Sequence, residues 1–225
     1  MVKALQARSL SFAYDETPLF SGVSFALAEG EWVAITGPSG SGKSTLCLLA
    51  SGVIPRSLDV GKVGGEVLLF GESVADLPLA KTASQLGLVL QEPDSQLFSP
   101  LVEDEIAFGP ENLCLPRDEI GARIERALAL TGMSGKRQAD TDTLSGGQKQ
   151  LVALAAVLAL EPRVLILDEA FAMLDEAAEK QMLEVLRCLK EQGTAILAVE
   201  HEPRRLAAAD RVLRLADGRL EEVGP

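Results

Sequence analysis

Residues 37–45 read Gly37-Pro38-Ser39-Gly40-Ser41-Gly42-Lys43-Ser44-Thr45, a GxxxxGK[ST] pattern. The chemistry such a string serves is the binding of a phosphate chain. Glycines let the backbone wrap closely round an anion with its N–H groups turned inward, and the helix that begins there adds the positive end of its dipole. Lys43 supplies a point charge for the β- and γ-phosphates, and the Ser44 hydroxyl is placed to ligate Mg²⁺. A second pair, Asp168-Glu169, ends the apolar run Val164-Leu165-Ile166-Leu167. Two acids at the carboxyl end of a core strand stand where the ligand sites of α/β proteins lie. One carboxylate can hold Mg²⁺, usually through water, and the next can orient and deprotonate an attacking water. A third string, Leu144-Ser145-Gly146-Gly147-Gln148, opens a helix. Ser145 is a natural N-cap, and the two glycines strip side chains from the helix start, which makes a second anion-binding surface. One phosphate loop beside two phosphate-binding elements suggests that the second serves a nucleotide held by another chain.

Positioning these residues requires alternating strands and helices. Leu10–Tyr14 alternates, Asp15–Pro18 turns, and Leu19–Leu27 is strand-like again. Trp32–Thr36 is a buried apolar strand leading into the Gly-rich turn, and a helix runs from Lys43 to about Ser51. Val67–Phe70 and Leu86–Leu90 are further strands. Residues 117–131 are helical, with Ile120, Ile124 and Leu128 at spacing four, and Gly147–Ala159 is another helix. Val164–Leu167 is the continuous apolar strand that a sheet covered on both faces needs. Glu176–Lys190 is a helix, Ala195–Val199 a strand, and Val212–Leu215 the last strand. An antiparallel start followed by alternation is the α/β signature.

Composition bounds the rest. The 225 residues carry 21 Lys+Arg against 33 Asp+Glu, a net charge of −12, which argues against a broad nucleic-acid footprint. Hydrophobic residues are 47% and aromatics 4%, so the chain is globular with an aliphatic core. The longest apolar run, Leu151–Leu160, is too short to cross a bilayer, and the stretch from Met1 to Gln6 has no signal-peptide core. Cys47, Cys114 and Cys188 are far apart, with His201 the single histidine, so a disulfide framework or zinc site is not expected. They read as small buried hydrophobes in a reducing cytosol. Between Glu92 and Glu119 stand eight acids, one base and four prolines. That stretch reads either as the start of an inserted helical subdomain running to about Leu144, or as a solvated acidic face.

The motifs, in their order, resemble those of ATP-binding-cassette (ABC) ATPases over nearly the whole chain. Tyr14 sits where the family's adenine-stacking aromatic belongs. Gln91 matches the Q-loop glutamine, Leu144–Gln148 the signature motif, Asp168 and Glu169 the Walker B pair, Leu174-Asp175 the D-loop and His201 the switch histidine. The resemblance implies an α/β fold: a P-loop NTPase (RecA-like) core with an N-terminal antiparallel β subdomain and an inserted helical subdomain. It implies one domain over 1–225, with about 1–91 and 146–225 as core and about 92–145 as the helical part. ATP and Mg²⁺ are the implied ligands. Residues 37–45, Tyr14, Ser145–Gln148 and Asp175 would hold the nucleotide, and Ser44, Gln91 and Asp168 the metal. Glu169 would act as general base, with His201, Lys43 and Gln91 completing the catalytic set. A head-to-tail dimer with a second ATPase subunit, identical or not, is implied as well.

The stretch Gln91–Pro110 closely resembles its counterpart in energy-coupling-factor (ECF) importers of vitamins and metal ions. There it forms a groove for Arg-containing coupling helices, and the acid excess would suit such a basic partner. The implied partners are a transmembrane coupling protein and a substrate-binding membrane subunit, without nucleic acid, at the cytoplasmic face of the membrane. The spacer Ile54–Gly65 resembles the branch with paired ATPase domains. Two features depart from the family: Ala170-Phe171-Ala172-Met173 replaces the usual Pro-Thr ahead of Leu174-Asp175, and the sequence ends at Pro225 where many members continue. A short member and part of a longer protein both fit that ending. The other readings weighed are a soluble ABC protein acting on DNA or ribosomes and an exporter subunit. The insert of about fifty residues is too short for the heptads of chromosome-type members, and the ECF-like stretch argues against the exporter.

Overall fold

A computed structural model describes residues 3–58 and 60–224. Met1, Val2, Asp59 and Pro225, which fall within the spans above, lie outside the described residues. In chain order the elements begin with β1 (Lys3–Ala13), β2 (Pro18–Ala28), β3 (Trp32–Thr36), α1 (Lys43–Ala50) and the turn-length α2 (Val53–Arg56). They continue with β4 (Lys62–Leu69), β5 (Glu72–Ser73), α3 (Leu79–Ala83), β6 (Leu86–Val89), α4 (Val102–Asn112) and α5 (Arg117–Leu130). The chain closes with α6 (Gly146–Leu158), β7 (Val164–Asp168), α7 (Glu176–Glu191), β8 (Ala195–Val199), α8 (Pro203–Leu206), β9 (Arg211–Ala216) and β10 (Arg219–Glu222).

Two sheets result. One is antiparallel with strand order β2-β1-β4-β5. The other has order β10-β9-β3-β8-β7-β6, parallel from β9 to β6 with β10 antiparallel on its edge. β7 and β8 are buried at every position, as central parallel strands must be. Their residues alternate between two cores. Leu165, Leu167, Ile196 and Ala198 face the helices α4–α7, while Val164, Ile166, Leu197 and Val199 face α1 and the antiparallel sheet. This sandwich holds the carboxyl ends of β3, β7 and β8 side by side, because Ile35 pairs Val199 and Val199 pairs Asp168 in register.

The structure corrects several readings. Val212–Leu215 is not the last strand, because β10 follows it across a two-residue Asp217-Gly218 turn. Asp-Gly between two strand-like runs is the strongest short hairpin signal. β4 starts at Lys62, five residues before Val67, and Gly64-Gly65 had masked its alternation. α4 runs through Gly109 and Pro110, residues that hid its helical character. Of the cysteines only Cys47 is buried; Cys114 is exposed and Cys188 half-buried. The acidic stretch is neither a plain solvated face nor wholly free for a partner. Glu105 is buried, accepting the N–H groups of Phe98 (3.0 Å) and Ser99 (2.7 Å). Asp94, Glu103 and Glu119 pair with Lys149, Arg137 and Arg123.

Candidate active site

The phosphate loop connects β3 to α1. Lys43 is buried at the start of α1, and its Nζ donates to the carbonyls of Gly37 (3.0 Å) and Pro38 (2.9 Å). The ammonium is thereby folded into the mouth of the loop, the position a phosphate-binding lysine needs. The Ser41 hydroxyl is buried without a partner, a donor that an anion in the loop would satisfy. Ser44 lies exposed on the first turn of α1, and its Oγ donates to Asp168 Oδ1 at 3.0 Å. Asp168 is 6% exposed, and burial holds its carboxyl above the usual range; the Glu169 charge adds to this and the Ser44 hydroxyl opposes it. The same burial, with both neighbouring carboxylates, pushes the Cys47 thiol well up, which leaves it an inert core residue.

Glu169 leaves β7 in the left-handed region, φ 49°, so its side chain turns away from the strand. Two side chains meet it. Gln91 Nε2, from the loop after β6, donates to Glu169 Oε2 at 3.2 Å, and His201 Nε2, from the loop after β8, stands 3.0 Å from Oε1. Tyr14 is 55% exposed beyond β1; its ring packs edge-on against Phe12 and its hydroxyl lies 3.1 Å from Thr45 Oγ1. An exposed aromatic face is thereby fixed beside α1.

The oxygen donors of Ser44 and Asp168 fit a hard divalent cation such as Mg²⁺. Among the described residues no group of three His, Cys, Asp or Glu forms a cage.

Ser145 and Gln148 form a capping box at the start of α6: the Ser145 Oγ accepts from the Gln148 N–H (3.3 Å) and the Gln148 Oε1 from the Ser145 N–H (3.1 Å). Asp175 caps α7, accepting from the Ala178 N–H at 2.8 Å. Among the described residues no hydrogen bond joins 145–148 to the phosphate loop. The expected residues thus fall into two groups: 37–45, Gln91, Asp168, Glu169, His201 and Tyr14 together, and Ser145–Gln148 beside the Asp175 segment.

A family model described as ABC transporter matches residues 20–172. The chain belongs to the ABC transporter family. An energy-coupling factor transporter ATP-binding protein of Levilactobacillus brevis is 42% identical over 214 residues, 94% of this chain and 75% of that protein. This relationship places the cassette in the energy-coupling factor branch. An ABC transporter ATP-binding protein of Methanosarcina mazei is 41% identical over 96% of this chain, which spans only 38% of that relative's length. The solved structure of cbiO1 from Clostridium perfringens superposes with a TM-score of 0.86 at 32% identity, covering 100% of this chain and 89% of that one. The P-loop NTPase fold with its antiparallel β subdomain is therefore that of the family.

Residues that sequence reasoning missed tie the cassette's site to its supports. Gln150 is fully buried and its Nε2 donates to the Leu90 carbonyl at 2.9 Å, joining α6 to the base of the Gln91 loop. Gln96 holds the same loop, accepting from the Leu90 N–H (3.0 Å) and donating to the Leu88 carbonyl (3.1 Å). Gln150 stands just before the apolar run Leu151–Leu160 and beside the polar Gln148 and Lys149, so the sequence does not set it apart. Glu200, at the end of β8, is 3% exposed, and burial pushes its carboxyl up to about 7 against the opposing pull of Arg205 and the His201 N–H. Nothing in the sequence marks it.

Proposed function

We propose that the cassette is the ATP-hydrolysing subunit of an ECF-type importer of a vitamin or transition-metal ion. The observation that carries the reading is the convergence of Lys43, Ser44, Asp168, Glu169, Gln91 and His201 at one sheet edge. Lys43 and the loop 37–45 bind the triphosphate, and Tyr14 offers its ring to the base. Ser44, Asp168 and Gln91 hold Mg²⁺, which when bound neutralises charge that builds on the phosphates. Glu169 takes the proton of the attacking water, and His201 steadies the γ-phosphate. The helical part, about 92–145, moves as an arm on the core of about 1–91 and 146–225.

Two features support a closed dimer with a second ATPase subunit. The capped N-terminus of α6 makes no hydrogen bond to the phosphate loop of its own chain. A Cβ at Gly146 or Gly147 would meet only ordinary contacts, 3.5 Å or more, with Met173, Leu174 and Ala178. Glycine there is not demanded from within, whereas a phosphate docking from outside would demand it. Asp175, across from the same helix start, completes that surface.

The membrane partner is read from α4. Asp104, Phe108 and Glu111 share one exposed face, and Phe98 packs edge-on against Phe108 with ring centroids 4.6 Å apart. With half the acids of the stretch paired internally, Glu92, Asp104, Glu111 and Asp118 remain to meet a basic coupling helix. In this reading the chain is attached at the cytoplasmic face through these partners; no helix among the described residues is long and apolar enough to cross a membrane. The test is purification of the full chain from its host membrane, followed by assay of Mg²⁺-dependent ATP hydrolysis. Co-purification of a transmembrane protein with ATPase activity is expected; co-purification with nucleic acid or ribosomes instead overturns the reading.

A further inference from the structure

Behind the proposed catalytic edge lies a charged cluster that none of the motifs contains. Arg205, on α8, is largely buried, with its side chain 15% exposed. Its Nη2 donates to Glu179 Oε2 at 2.7 Å and its Nη1 to Glu200 Oε2 at 3.4 Å. Its guanidinium also lies over the Phe171 ring, 5.0 Å from the centroid. Each partner belongs to a segment that carries a site residue. Glu200 directly precedes His201, Glu179 lies one turn into the helix capped by Asp175, and Phe171 is two residues beyond Glu169.

A guanidinium suits this task, because its planar fork can hold two carboxylates in fixed directions while stacking on an aromatic face. Burial raises the stakes, since removing one member leaves charged groups without compensation. The cluster is also under-satisfied: Glu200 Oε1 and Arg205 Nε are buried with no hydrogen-bond partner among the described residues.

We propose that Arg205 is a positioning residue for the ATPase reaction, fixing His201 against Glu169 and coupling it to the Asp175 helix. The inference rests on the reading of His201 and Glu169 given above. Arg205 touches no reacting atom, so it acts through the imidazole. Loss of the clamp frees the segment 200–206 and misplaces His201, and small misplacements at a reacting centre cost large factors in rate.

The experiment is a mutant cycle in the full chain, assayed in the complex it forms in its host. The readouts are kcat and KM for MgATP and the affinity for a fluorescent ATP analogue. Arg205→Met is expected to lower kcat at least about tenfold while KM and nucleotide affinity stay within about twofold. Arg205→Lys restores part of the rate, as a single point charge in place of the fork. In a His201→Ala background, with residual turnover followed by release of labelled phosphate, Arg205→Met costs less than about twofold more. Should Arg205→Met fail to fold, Glu179→Gln carries the test, with the same fall in kcat at constant KM expected. Wild-type kcat in the variant that folds, or full multiplication of its effect on His201→Ala, overturns the inference. Normal turnover in His201→Ala overturns the underlying reading of the histidine as well, whereas an impaired His201→Ala beside a normal Arg205→Met sinks the positioning role alone.

Discussion

The imidazole Nε2 of His201 stands 3.0 Å from the Oε1 of Glu169, and Gln91 occupies the other carboxylate oxygen at 3.2 Å. A carboxylate gripped from both sides is fixed in direction, as a base must be when it takes a proton from a bound water. The two gripping residues come from the ends of neighbouring regions, the loops after β6 and β8, with β7 between them. The parallel sheet thus delivers the proposed base, the proposed metal-side amide and the imidazole to one edge without any of them being near in sequence.

Glu169→Gln keeps the size and hydrogen-bonding shape of the side chain but cannot accept the proton. Turnover is expected to fall by at least about 10²-fold. ATP binding should remain within a few-fold of the original, and an ATP-dependent dimer should accumulate in size-exclusion chromatography. Near-normal ATPase activity in this variant would remove Glu169 from the base role.

Ser44→Ala removes both the hydroxyl that Asp168 Oδ1 accepts from and one proposed ligand of Mg²⁺. The Mg²⁺ concentration for half-maximal ATPase activity should rise about tenfold or more, while metal-free nucleotide binding changes little. A magnesium titration at fixed ATP checks this, and an unchanged midpoint would show that the hydroxyl has no part in holding the metal.

Much of this arrangement is legible in the sequence because its strands are buried on both faces. Trp32–Thr36 and Ala195–Val199 are read to the residue, since a continuous apolar run bounded by polar turns has few other fates. The candidate site residues are legible for a related reason: a loop that wraps an anion and a carboxylate pair at a strand end tolerate few residue types. Gln150, Glu200 and Arg205 are not legible, because their roles come from burial against partners far along the chain. Gln150 reaches Leu90, sixty residues away, and Arg205 reaches Glu179 from the far side of β8. Local pattern carries no record of such meetings. The pairing of Asp94, Glu103 and Glu119 is hidden for the same reason, as Lys149, Arg137 and Arg123 all lie outside residues 92–119.

Glu200 makes stability depend on pH. Its carboxyl titrates near 7 in the fold against a usual value of 4.5, so the folded chain holds its proton more tightly than the unfolded chain does. Between those values the native state binds more protons, and the free energy of unfolding must fall as pH rises from about 4.5 to about 7. The groups facing it, Arg205 and the His201 N–H, oppose the shift without cancelling it. Its full size is up to about 3.5 kcal/mol, from 2.5 pH decades at about 1.4 kcal/mol each. Glu200→Gln keeps an acceptor for Arg205 and removes the titration. Denaturant midpoints at pH 5.5, 6.5 and 7.5 should decline less steeply in the variant than in the original chain; parallel declines would assign the pH dependence elsewhere.

Gly37 and Gly40 lie in one loop, and the structure separates what each contributes. Gly37 has φ +148°, and a Cβ there would lie 2.1 Å from the backbone carbonyl oxygen of Leu215 on β9. Gly40 has φ +77°, with nothing within 4 Å of a Cβ. Alanine at Gly40 therefore costs only the strain of a left-handed residue, about 1–2 kcal/mol. Alanine at Gly37 adds a collision with backbone that cannot move unless β9 parts from β3, so about 4 kcal/mol or more is expected. For a chain of this length each kcal/mol corresponds to about 2–4 °C in Tm. Gly37→Ala should thus lower Tm by roughly 10 °C, against a few degrees for Gly40→Ala. Nucleotide binding separates them in the opposite sense when compared among folded molecules at low temperature. A methyl at Gly40 intrudes where the loop opens toward the phosphates and should weaken ATP affinity beyond its small effect on Tm. Equal shifts in Tm for the two variants would mean that β9 yields at no cost, and the close approach of Leu215 would then not be what requires glycine at position 37.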